Sequence, residues 1–163
     1  MPAPFDPARL LAALASNHVD FVLIGGLAGA LHGSPAATND ADICPAPTPE
    51  NLRRLADALI ELDAKERTEN VPDGLAFDRT PEFLGSVELL DTTTSAGDLD
   101  IAFSPIGTAG FDGLAAEAVV FEFDGARVLV ASLDDIIHSK RTAGRAKDLA
   151  TLPILEALRD ELT

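Results

Sequence analysis

FVLIGGLAGALHGSPAATNDADIC, residues 21–44, is the stretch on which the reading of this chain turns. It opens with a short apolar run stopped by two glycines, continues with helix-forming composition up to Gly33, and resumes as a strand that Pro45 and Pro47 end. Strand, tight turn, helix and strand therefore form one short unit. The second strand carries Asp40 and Asp42, and Asp is depleted from strands and almost never fully buried unless paired or bound to a metal. Side chains at i and i+2 of a strand share a face, roughly 7 Å apart at the backbone. Asp40 and Asp42 can thus converge on one ion while Ala41 and Ile43 face the core.

Upstream, residues 7–18 carry Leu10, Leu11 and Leu14 at helical spacing behind Asp6 as cap, with Pro7 at the first position. Downstream, Thr48 caps a helix expected over 49–64, and the polar, turn-rich residues 63–80 read as a surface loop. SVELLDT and LDIAF are two further strands able to pair through the connection between them, and EAVVFEF and ARVLVA, joined by Asp124 and Gly125, signal a hairpin. Ser132 caps a helix that Gly144 ends, and a last helix runs from about 146 to 162, with a break or kink expected at Pro153. This order predicts an α+β fold, a mixed sheet flanked by helices, with residues 1–163 as one domain.

Twelve Lys and Arg against 27 Asp and Glu give a net charge of −15, the reverse of the basic footprint of a protein that holds nucleic acid by its phosphates, so duplex DNA is not an expected partner. Lys140, Arg141, Arg145 and Lys147 nevertheless form a local basic cluster within the acidic chain. The single Cys44 excludes an internal disulfide and reads as a buried small hydrophobe. With no apolar run long enough to span a bilayer and no leader pattern, the sequence reads as cytoplasmic, with no membrane partner.

Asp98 and Asp100 repeat the D-x-D spacing, and Asp100, deeper in its apolar run, is the better third carboxylate. Carboxylates that converge with substrate phosphates are the usual way of holding Mg²⁺, and such a group on a sheet edge suits in-line phosphoryl or nucleotidyl transfer. A third carboxylate can also take the proton of an acceptor hydroxyl. Gly25 and Gly26 let backbone approach a phosphate at a helix N-terminus. Taken singly these features have plainer readings: D-x-D also fits a turn or cap, Asp98 beside Gly97 fits hairpin chemistry, and the basic cluster fits a solvated helix end.

In combination, IGGLAGALHGSPAATNDADI resembles the signature of the nucleotidyltransferase superfamily, and SLDDIIHSKRTAGRAKDLATL is similar to the C-terminal element of AbiEii-type nucleotidyltransferases, the toxin halves of abortive-infection and toxin–antitoxin pairs. The resemblance implies a DNA polymerase β-like fold that transfers a nucleoside monophosphate from an NTP to an acceptor. It implies Mg²⁺ or Mn²⁺ on Asp40, Asp42 and Asp100, and a triphosphate cradled by Gly25 and Gly26 and neutralised by Lys140, Arg145 and Lys147, with Asp148 orienting Lys147 or a water. The implied partners are tRNA or another RNA as acceptor and a cognate antitoxin protein. A small-molecule antibiotic or a protein hydroxyl is the alternative acceptor, and a degenerate nucleotide- or partner-binding module is the alternative class. The chain departs from the family pattern at Ala36, where an Arg is common, and at Gly26, where classical members carry Ser.

Overall fold

The computed structural model describes residues 2–163. In chain order the elements begin with α1 (Pro7–Ser16), β1 (Phe21–Ile24), α2 (Gly25–His32), β2 (Asp40–Pro45), α3 (Pro49–Glu61), β3 (Lys65–Glu66) and α4 (Pro81–Leu84). They continue with β4 (Leu89–Thr94), β5 (Gly97–Ala102), α5 (Gly110–Glu117), β6 (Val119–Phe123), β7 (Ala126–Val130), α6 (Leu133–Ala143) and α7 (Ala146–Leu162). The strands form one mixed sheet in the order β3-β4-β5-β2-β1-β7-β6, so the fold is α+β as the element pattern predicts.

Local chemistry accounts for most boundaries. Asp6, Thr48 and Ser132 each accept a hydrogen bond from the backbone N–H three residues on, at Arg9, Asn51 and Asp135. Gly144 ends α6 in the left-handed region at φ 64°. Asp124 and Gly125, at φ 49° and 86°, make the two-residue turn that joins β6 to β7.

Four expectations are corrected. No separate turn follows β1: α2 starts at Gly25 itself, because that residue takes φ 70° and redirects the chain within a single position. Helix α3 stops at Glu61, where Leu62 caps it and Asp63 turns back at φ 49°. Residues 63–80 are not merely a surface loop: β3 pairs antiparallel with β4, and Glu66 exchanges backbone hydrogen bonds with Leu75 at 2.8 and 2.9 Å. Pro153 lies inside α7, which runs through it as one helix. The short helices α4 and α5 were not expected from the sequence; α4 forms on a Thr80 cap and Pro81.

Leu10, Leu11 and Leu14 of α1 and Leu55 and Leu59 of α3 are fully enclosed together with Val22, Leu23, Ile43, Leu99, Ile101 and Val130 of the sheet. The central strands are thereby held from one side by apolar packing, which leaves alternate side chains on the other side free for polar work. Asn51, 1% exposed, ties α3 to the start of β1 and the end of β2. Its amide nitrogen donates to Asp20 O and Ala46 O at 2.9 and 2.8 Å, and its oxygen accepts from Asp20 N at 2.7 Å.

Candidate active site

The sheet register lines up carboxylates. Asp42 stands opposite Asp100 across the parallel β2/β5 pair, Asp100 opposite Asp91 across the antiparallel β5/β4 pair, and Asp40 opposite Asp98. On the other face of the same strands Ala41, Ile43, Leu99 and Ile101 are all at most 1% exposed. Asp40, Asp42 and Asp100 converge: one carboxylate oxygen from each lies within 4.8 Å of the other two. The structure thus brings together the three carboxylates expected from the spacing. It leaves Asp98 outside that group, 3.5 Å from a guanidinium nitrogen of Arg67.

The cluster is electrostatically stressed. Burial and then the adjacent Asp40 push Asp42 up to about 6, against the pull of Lys140 and Lys147. Burial pushes Asp100 up to about 7; Arg67 opposes the rise, while Asp91 and Asp42 add to it. Three like charges so close, partly withdrawn from water, favour protonation or a bound cation.

Gly25 is the position that makes room for them. A Cβ there would run into the carboxylate of Asp42, and a Cβ on Gly26 would already be pressed 3.0 Å from Oγ1 of Thr38. Helix α2 has no side-chain cap at its N-terminus, so its first amides have none of the usual side-chain acceptors. These amides begin immediately beside Asp42 and offer donors to an anion there.

The basic cluster faces the same carboxylates, since Lys140 and Lys147 both act on Asp42. Lys140 reaches over from α6 and lies 3.6 Å from Asp148. Arg145 donates to Asp148 at 2.6 and 3.3 Å. Asp148 is itself 2% exposed, and against the upward push of burial the bond and charge of Arg145 hold it below the usual carboxylate range. Its ion pairs among the described residues are therefore with Arg145 and Lys140, where the resemblance implied Lys147 or a water. It fixes the α6–α7 corner from which both lysines project.

Two charged neighbours escaped the sequence reading. Arg67 follows β3 and places Nη2 2.8 Å from Oδ1 of Asp100, while its Nη1 donates to Thr92 O at 3.0 Å. Asp91 completes the row across the sheet. Neither has a local motif: Arg67 sits in polar sequence that resembles a loop, and only the strand register sets Asp91 beside Asp100.

The residues fit a divalent cation. Besides the converging oxygens, Oδ1 of Asp100 is closed off from solvent, with the guanidinium of Arg67 2.8 Å away. An all-oxygen carboxylate set, converging and partly withdrawn from water, is what Mg²⁺ or Mn²⁺ prefers.

No protein-family model and no curated protein matches the chain. Among solved structures, a candidate nucleotidyltransferase from Thermotoga maritima is similar at 19% identity, with a TM-score of 0.48 over 94% of this chain and 88% of that one. No helix among the described residues is long and apolar enough to cross a membrane.

Proposed function

We propose that this chain is a divalent-metal-dependent nucleotidyltransferase that moves a nucleoside monophosphate from an NTP to an acceptor hydroxyl. The observation that carries the reading is the convergence of Asp40, Asp42 and Asp100 beside the uncapped start of α2, with Lys140 and Lys147 facing the same point.

Each group has a task set by its position. Asp40, Asp42 and Asp100 would hold Mg²⁺ or Mn²⁺, which supplies charge neutralisation at the reacting phosphate when bound. Gly25 and Gly26 admit the triphosphate to the first amides of α2, and Lys140 and Lys147 neutralise its oxygens, with Arg145 at their flank. Asp148 positions Lys140 and Arg145 through its ion pairs. Asp100, the third carboxylate, is also the group assigned to take the acceptor's proton.

On the resemblance of its two motifs, the acceptor is tRNA or another RNA and the chain is the toxin half of a pair inhibited by a cognate protein. The net charge of −15 favours a cationic small molecule as the second reading of the acceptor.

Incubation with each α-labelled NTP, Mg²⁺ and total RNA or lysate tests the reading, beside an Asp40→Asn/Asp42→Asn control. Label that enters an RNA, protein or small-molecule fraction only with intact carboxylates supports transfer and names the acceptor class. NTP binding without label in any fraction overturns it in favour of a binding module.

A further inference from the structure

The guanidinium of Arg67 is placed between two carboxylates with different surroundings. One is Asp100, a member of the converging trio, at 2.8 Å; the other is Asp98, outside it, at 3.5 Å. The backbone carrying it is pinned: Glu66 is bridged to Leu75, and Arg67 N donates to Asp91 O at 2.9 Å. Only the side chain needs to move for the guanidinium to pass from one carboxylate to the other. Its contact with Asp100 is the closer of the two, and its Nη1 also donates to Thr92 O at 3.0 Å.

A positive group this close to a metal-ligating oxygen competes with a cation for the same negative charge, and a ligand that must displace it binds more weakly by the free energy of the displaced contact. We propose that Arg67 is an internal counter-ion of the site. It neutralises Asp100 while the carboxylate trio is empty and moves to Asp98 when a divalent cation takes Asp100. This inference rests on the metal-binding reading of the trio. It gives Asp98, the carboxylate left out of the trio, the task of receiving the displaced guanidinium. Arg67 acts on Asp100, whereas Lys140 and Lys147 act on Asp42, so the counter-ion and the lysines address different members of the trio.

The test is binding of Mn²⁺ alone, read as loss of the free-ion electron paramagnetic resonance signal, in the full chain without nucleotide. Arg67→Gln is expected to bind Mn²⁺ about tenfold tighter than the parent protein, the order expected when one unit charge leaves a partly exposed site. Arg79→Gln removes the same charge from a pair with Asp63 elsewhere and should leave the constant unchanged. Arg67→Lys keeps the charge without the planar fork and should fall between. Asp98→Asn should weaken binding severalfold in the parent background and much less in Arg67→Gln, because the two residues act as one unit.

Equal or weaker Mn²⁺ binding by Arg67→Gln overturns the counter-ion role while leaving the metal site standing. No binding by either protein overturns both. Should Arg67→Gln fail to fold, the lysine variant decides: binding no tighter than the parent's sinks the proposal.

Discussion

At the scale of single residues, the site is held in a state that favours neutralisation. Asp42 and Asp100 titrate at about 6 and about 7, well above an ordinary carboxyl, so each binds its proton more tightly folded than unfolded. Their contribution to stability is therefore fully present below about pH 4 and is lost as pH rises through 6 and 7. Asp42→Asn removes one of these charges at constant shape. It should raise the stability of the metal-free protein at pH 8 by about 1–3 kcal/mol in urea unfolding while abolishing nucleotide transfer. An unchanged or lower midpoint would show that Asp42 is not under strain. Gly25→Ala acts in the opposite sense. It places a side chain at φ 70° and against the carboxylate of Asp42, so a loss of about 2 kcal/mol or more is expected, together with weakened Mn²⁺ binding.

At the scale of elements, Asn51 shows how one buried amide sets the angle between α3 and the strands that carry the site. Asn51→Ala takes the side-chain partner from Asp20 N–H and from the Ala46 carbonyl, while the Asp20 carbonyl keeps only the Ala46 N–H, and should cost about 2–4 kcal/mol by chemical denaturation. A loss below about 1 kcal/mol would mean that the tie is redundant. Most elements were legible where a cap, a glycine or a hairpin dipeptide marks the boundary, as at Asp6, Thr48, Ser132, Gly144 and Asp124–Gly125, although the four-residue α4 escaped notice despite its Thr80 cap. Elements were illegible where pairing alone creates them. Strand β3 is two residues long and exists because Lys65 and Glu66 meet Thr93 and Thr92 across the sheet. The same limit applies to the site. Asp40, Asp42 and Asp100 announce themselves by spacing, whereas Arg67 and Asp91 join them only through register between strands distant in sequence.

At the scale of the whole molecule, an excess of acidic groups gives a chain of net charge −15 with three carboxylates gathered at one place on the sheet. A cation bound there adds stability by mass action, about 2.7 kcal/mol at a hundredfold excess over its dissociation constant. Because protons and the cation compete for the same oxygens, the increase in melting temperature on adding Mg²⁺ should be small at pH 5 and grow through pH 7.5. A shift independent of pH, or one retained in Asp40→Asn/Asp42→Asn, would place the stabilising ion elsewhere.

The alternation along β2 and β5 also makes chemistry and folding answer to a single parity. A slip of one residue at either strand would turn Ala41, Ile43, Leu99 or Ile101 out to water and drive aspartates into hydrocarbon. Misregistered chains are thus rejected energetically at the very strands where misregistry would scatter the carboxylates. The aspartates that make the finished protein least comfortable at neutral pH work, during assembly, as an error check on the pairing of its central strands.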